Sequence, residues 1–225
     1  MKKQFKAQMK KLILLACVVV LTSCKKEDIT PPFIKLLGDN PLTHKLKDSF
    51  QDPGYTAHDQ EDGDITSKVV VNSTLNTQET GSYTIQYLVT DASGRSASAS
   101  RTVLVKNQLE LDQQTGNYAV VDSMNGAFRS SYSDLGNAST TENGKIIFDN
   151  FGGYTGGSVK VYAIISGSNI DIPTQSGIFY PATNTYRTFS GSGQIISGNP
   201  FAFVLTYNEQ NASGTSIIKA TYTLQ

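Results

Sequence analysis

The sequence predicts an all-β chain of two domains, and three observations carry the prediction. No stretch keeps a helical apolar period between N- and C-caps. Short runs rich in Val, Ile, Thr, Tyr and Phe recur instead, alternating in polarity and cut by Gly, Asn, Asp and Ser. Composition then shifts near Lys106-Asn107-Gln108, where a charged first part gives way to one poor in charge and rich in Gly, Ser, Thr, Asn and aromatic residues. The boundary is placed there, with one domain over residues 31–106 and another over residues 110–225.

In the first domain, strands are expected at Phe33–Leu37, around Thr43–Leu46, and at Gly54–His58, Lys68–Asn72, Tyr83–Asp91 and Ser96–Val105. The two-residue period puts Tyr83, Ile85, Tyr87 and Val89 on one face of their strand, and Val103 and Val105 on one face of the next. Short strands and turns packed into about 75 residues fit an immunoglobulin-like β-sandwich. The chain has no Trp, and neither Cys falls in this domain, which excludes the antibody-type core of Trp against a disulfide.

In the second domain, strands are expected at Gly116–Asp122, Ala127–Ser133, Lys145–Asp149, Ser158–Ile165, Asn169–Ile172, Thr185–Ile196, Phe201–Asn208 and Ser216–Leu224. Eight strands joined by short turns suit a closed up-and-down β-barrel or a sandwich. A barrel of that size is filled by its own side chains or holds one small ligand.

Residues 1–23 read as a signal peptide. Lys2, Lys3, Lys6, Lys10 and Lys11 form a basic start, and Leu12 to Leu21 is an unbroken apolar run of ten residues. That run is short of the roughly 20 residues a membrane span needs. It ends in Leu21-Thr22-Ser23-Cys24, which resembles the lipobox of bacterial lipoproteins. The resemblance implies cleavage before Cys24 and acylation of its sulfur and new amino group, and several acyl chains on one residue anchor stably. Residues 24–30 then form a tether. Its Lys26-Glu27-Asp28 looks like the export signal of Bacteroidota surface lipoproteins, which implies the outer membrane with the protein facing the cell exterior.

Removing the leader changes the charge. The whole chain carries 19 basic and 19 acidic residues, and residues 1–23 take five lysines and no acid with them. The remainder is net acidic, which argues against a nucleic-acid partner. Cys17 lies in the leader and Cys24 is the anchor, so the folded part has no thiol for a disulfide, a metal site or a nucleophile.

Asp52-Pro53-Gly54-Tyr55-Thr56-Ala57, Asp59-Gln60-Glu61-Asp62-Gly63-Asp64-Ile65-Thr66, Gly81-Ser82-Tyr83-Thr84 and Thr90-Asp91-Ala92-Ser93-Gly94-Arg95 occur in that order. The series is similar to the bacterial immunoglobulin-like domains repeated in secreted and surface proteins, with Arg95 where those domains typically place Asn. The resemblance implies a spacer or presentation module. In the second domain, Ile170 to Gln175, Ser190-Gly191-Ser192-Gly193 and Phe148 to Gly153 resemble the lipocalin-like domains that end Bacteroidota lipoproteins. Asp122-Ser123-Met124 resembles the O-glycosylation tripeptide of that phylum.

Three groups of residues are candidates for a site. Asp59, Glu61, Asp62, Asp64 and Asp91 form an acidic cluster of the kind that supplies oxygens to calcium, although the spacing is not that of an EF-hand. Otherwise they make an acidic surface turn around Gly63. His44 and His58, both in the first domain, are the only histidines, so no Ser-His-acid triad or His-rich zinc site fits in the second. No pair among the second domain's scattered acids stands out for acid–base work. Phe151, Tyr154, Tyr180 and Tyr186 are expected at loops or strand ends, as a surface for sugar rings or as plugs in the barrel ends. The expectation is a non-enzymatic, lipid-anchored accessory that captures a glycan or small apolar ligand. The alternative is a module that docks a partner protein of a surface complex and takes no small ligand.

Overall fold

The structure, a computed structural model, describes residues 27–154, 160–181 and 184–225. The signal peptide, Cys24 and the tether up to Lys26 lie outside the described residues, as do the first two positions of the strand expected from Ser158. Two compact units divide the chain. One holds the residues up to Leu36 with Tyr55–Val70 and Tyr87–Ala99, and the other holds Leu37–Gly54, Val71–Gln86 and Ser100–Gln225.

The first part of the chain forms two sheets. β1 (Phe33–Leu36), β3 (Tyr55–Asp59) and β4 (Gly63–Asp64) make a three-stranded antiparallel sheet. β2 (Leu42–Lys45), β7 (Ser96–Lys106), β6 (Gly81–Thr90) and β5 (Val70–Ser73) follow in that order in a four-stranded sheet, where β2 runs parallel to β7. The alternation expected of β6 is present: Ile85, Tyr87 and Val89 are buried and the residues between them are exposed. Ala57, Ile65 and Val89 form a small apolar core with Ile34, Val69 and Ala97 against it, so residues of both sheets meet face to face.

The inward face of β7 carries a residue that no apolar pattern announces. Arg101 precedes Val103 and Val105 on that face and is fully buried. Its guanidinium donates to the carbonyls of Asp39 (2.5 Å), Leu37 (2.6 Å) and Gly54 (3.1 Å), with Asp52 at 3.6 Å. A buried charge is tolerable where hydrogen bonds satisfy it, and this one ties the segments that follow β1 and precede β3 to β7.

A four-residue helix, α1 (Gln108–Leu111), opens the second part. The buried Asn107 caps it, accepting from Leu109 N and Gly144 N and donating to the carbonyls of Ser139 and Glu142. Eight strands follow: β8 (Gly116–Met124), β9 (Ala127–Ala138), β10 (Lys145–Phe148), β11 (Val161–Ser166), β12 (Asn169–Tyr180), β13 (Thr185–Gly198), β14 (Phe201–Asn211) and β15 (Gly214–Leu224). Each pairs antiparallel with its neighbours in sequence, and β15 pairs with β8, so the sheet closes into an up-and-down barrel. Of the two architectures the sequence left open, the barrel is the one formed.

Inward positions carry large rings. Tyr118, Phe148, Phe151, Phe189, Phe203, Tyr207 and Tyr222 are at most 1% exposed, and centroids such as Phe203–Tyr222 (4.9 Å) and Phe151–Tyr207 (4.6 Å) lie in contact. The core of this barrel is therefore side chains in stacked, edge and tilted ring contacts. Small residues balance the rings. A Cβ on Gly193 would lie 2.1 Å from the Val204 carbonyl oxygen, and one on Gly191 2.4 Å from that of Thr206, so β13 and β14 approach here more closely than any other residue type allows.

Candidate functional site

The turns after β8, β10, β12 and β14 all fall at one end of the barrel, and the charged side chains of the interior gather there. Glu209 continues the inward face of Phe203, Leu205 and Tyr207 on β14, and Asp122 continues that of Tyr118 and Val120 on β8. Opposite Asp122 the register of β9 slips, leaving Arg129 unpaired between Phe128 and Ser130. Such a bulge re-aims a side chain, and Arg129 approaches Asp122 (3.5 Å) and Glu209 (3.6 Å). Arg187 on β13 donates to Glu209 from the other side. Two buried carboxylates and two partly buried guanidiniums thus form one charge-balanced chain.

Tyr154 completes that network. Gly152 and Gly153 both take positive φ, which folds the segment after β10 back into the barrel end. Phe151 is thereby buried in the core, and the Tyr154 hydroxyl donates to Glu209 and accepts from Arg129 (3.2 Å). Burial first, then the hydrogen bond to Glu209 and its charge, push the Tyr154 hydroxyl up to about 12. Burial opposes the charge of Arg129, but Tyr154, Glu209 and Asp122 outweigh it and raise its pKa. The Tyr154 ring packs on Tyr180 at 4.5 Å, and the Arg187 guanidinium lies 4.5 Å from the Tyr154 centroid and 5.4 Å from that of Tyr180. Deeper in, Asp134 accepts from Asn150 N (2.7 Å) and Tyr222 Oη (3.4 Å). Its carboxyl is pushed up to about 7, mainly by burial.

The four aromatics singled out from sequence therefore part company. Phe151 is core, Tyr154 is buried at the end of that core with the half-buried Tyr180 packed on it beside Arg187, and Tyr186 faces outward, 66% exposed. Tyr186 is the cross-strand partner of Phe179, itself 38% exposed, with ring centroids 5.3 Å apart. The β12–β13 hairpin thus carries a pair of outward rings on a wall whose inner side is fixed by Tyr180, Arg187 and Glu209. On another stretch of the outer wall, a groove of about 850 Å³ crosses β11 to β15, lined among others by Ile164, Ile196, Val204, Asp171, Gln194 and Lys219.

Sequence reasoning missed Arg129, Arg187 and the inward placement of Glu209, which counted only as one of the second domain's scattered acids. A signal for two of them was present: in Phe203-x-Leu205-x-Tyr207-x-Glu209 and Arg187-x-Phe189 a charge sits on the face that is otherwise apolar or aromatic.

The acidic cluster of the first part divides as well. Asp62 Oδ2 accepts from Ala92 N (2.6 Å), and Asp64 Oδ1 accepts from Thr66 N (2.9 Å). Hydrogen bonds from the Thr66 side chain and backbone hold the Asp64 carboxyl below its usual range. Burial raises the Asp91 carboxyl, but hydrogen bonds from Ser93, Arg95 and Gly94 outweigh it and its pKa is lowered. These three carboxylates organise turns. Asp59 and Glu61 instead come together with Asp28 of the tether, one carboxylate oxygen of each lying within 4.8 Å of the others.

No curated protein matches the chain. Two solved structures are similar at 17% identity. One is the lipoprotein BT2262 from Bacteroides thetaiotaomicron, with 84% of this chain and 98% of that chain covered and a TM-score of 0.34. The other holds the CBM51-2 domain in complex with GlcNAc and INT domains from Clostridium perfringens ZmpB, with 86% and 44% covered and a TM-score of 0.29. Superpositions this loose carry no argument about function. Residues 34–105, the two-sheet part of the chain, match the family model described as the Ig-like domain of bacterial surface proteins.

Proposed function

We propose that this protein is a lipid-anchored, outward-facing accessory of the outer membrane in which the Ig-like domain serves as spacer and the barrel captures a glycan. One observation carries the reading: the exposed Phe179–Tyr186 pair, held as cross-strand neighbours on a stiff hairpin. Large rings left in water on a braced strand pair offer flat apolar faces at little ordering cost, as stacking on sugar rings requires. Rings fill the interior, so the support goes to the outer wall and not to a lipocalin-type lumen. The balanced ion pairs at the barrel end serve to fix the hairpin, and this reading gives them no catalytic role.

The test is a glycan array with the purified mature protein, followed by calorimetry on any hit. Phe179→Ala combined with Tyr186→Ala is expected to weaken binding at least about tenfold with the circular dichroism unchanged, in line with roughly 1.4 kcal/mol or more from two stacking rings. Retained affinity in the double variant, or no glycan held by the wild type, would remove the glycan from the proposal. The outer groove, with Ile164, Ile196 and Val204 among polar residues, favours a second reading in which the barrel docks a segment of a partner protein. Cross-linking from a cysteine placed at Gln194 tests that reading directly.

A further inference from the structure

We infer a calcium site in the Ig-like domain, built by Asp28, Asp59 and Glu61, that clasps the lipidated tether to the β3–β4 turn. The three residues come from two separate segments: Asp28 lies four residues after Cys24, and Asp59 and Glu61 lie at and just beyond the end of β3. One carboxylate oxygen of each lies within 4.8 Å of the others. Calcium bonds oxygen at about 2.3–2.6 Å, so two of its ligands stand at most about 5 Å apart. The observed separation suits an ion at the centre without rearrangement of the chain.

A second observation points to a ligand independently of the clustering. Asp59 is fully buried, and while its Oδ1 accepts from Glu61 N and Asp62 N, both at 2.8 Å, its Oδ2 is shielded from solvent and receives no donor from the protein. Asp28 repeats the pattern, with Thr30 N on Oδ1 at 3.2 Å and nothing on a shielded Oδ2. A buried carboxylate oxygen without a partner is costly, and a cation removes that cost for both residues at once.

The Oδ2 atoms of Asp28 and Asp59 are the ones open to such an ion. Arg95 donates to the main-chain carbonyl of Asp28 (2.5 Å) and to Ser93 Oγ, not to the Asp28 carboxylate. Thr30 Oγ1 donates to Glu61 Oε2 at 2.5 Å, orienting that side chain. Among the described residues, the carboxylates of Asp28, Asp59, Glu61, Asp62, Asp64 and Asp91 gather in this region, with Arg95 on the Asp28 carbonyl and Lys68 near Asp62. An all-oxygen, anionic donor set with one exposed member selects a hard cation that accepts irregular geometry and several waters, and that is calcium before magnesium.

Calcium titration of the lipidated protein in detergent, after removal of divalent ions, tests the inference and involves no glycan. One ion per chain is expected, with Kd in the range of about 10⁻⁴–10⁻³ M that suits extracellular modules. Asp28→Asn and Glu61→Gln alter partly or fully exposed side chains, and each is expected to weaken calcium at least about tenfold while leaving the metal-free circular dichroism unchanged. Calcium is also expected to slow proteolysis within residues 25–32 of the wild type and not of Asp28→Asn. Absence of calcium-dependent heat at about 5 mM, or an Asp28→Asn affinity equal to wild type, would overturn the clasp. Neither result touches the aromatic pair of the barrel, whose binding assay runs in chelator.

Discussion

Replacing Asp134 with Asn should stabilise the protein at alkaline pH, and the size of the effect follows from where that carboxyl sits. Asp134 is 1% exposed inside the barrel, and its pKa rises from 3.8 to about 7 through burial, with Asp149 adding a smaller push against the hydrogen bonds from Asn150 and Tyr222. A carboxyl raised in this way holds its proton in the folded state after the unfolded chain has lost it. Its stabilising contribution is therefore complete below pH 3.8, declines as pH rises and is gone above about 7. The interval is worth on the order of 4 kcal/mol, at about 1.4 kcal/mol for each pH unit. Asn keeps an oxygen for Asn150 N and offers an amide to Tyr222 Oη, so the substitution removes the ionisation without emptying the site. Urea denaturation followed by tyrosine fluorescence, practicable because the chain has no Trp, gives the measurement between pH 4 and 8. Asp134→Asn should match or fall slightly below wild type at pH 4 and exceed it by about 2–4 kcal/mol at pH 8. A stability difference that stays flat across that range, or a less stable variant at pH 8, would refute the reasoning.

Two further substitutions test the fold and the anchor. Gly193→Ala places a methyl 2.1 Å from the Val204 carbonyl and should cost about 3 kcal/mol or more, while Gly198→Ala, with open space around it, should be near neutral. Equal melting temperatures for the two variants would show that β13 and β14 have room to part. Cys24→Ser should move the protein out of the lipid-anchored fraction in a detergent phase-partition assay, and unchanged partition would mean that Cys24 is not the acylated residue.

What was legible in the sequence is the periodic part. Ile85, Tyr87 and Val89 announce β6, and the eight barrel strands all begin within about three residues of their expected starts, because a two-residue period needs only local information. β12 is the main shortfall. Pro173 and Gly177 read as breakers, yet the strand runs on to Tyr180 by absorbing two register shifts, while the Gln175 amide pairs with the backbone of Tyr162 in place of a strand partner. Phe151, expected at a loop either as a sugar-stacking surface or as a plug, lies in the loop after β10 and is the plug. A Phe-Gly-Gly-Tyr run looks like an exposed turn, but two successive positive-φ glycines send its aromatic ring into the core. The acidic turn was visible, whereas Asp28 was not, since nothing local connects it to residues about 30 positions away. Asp62 and Asp64 looked equivalent to Asp59 in composition, and only the backbone groups they cap distinguish them.

The seam between β15 and β8 sets an order of events during folding. Tyr118 and Leu224 are partners across it although 106 residues separate them in sequence. A chain that emerges N-terminus first displays β8 long before β15 arrives, so ring closure is a late step and the Ig-like domain has time to fold ahead of it. Until then β8 and β14 are bare edges, open to pairing with any extended segment nearby. A product cut short by a single strand keeps both edges exposed permanently. Closure is thus a built-in report that the last strand has arrived, and a product lacking β15 is the form that proteases and chaperones should recognise first.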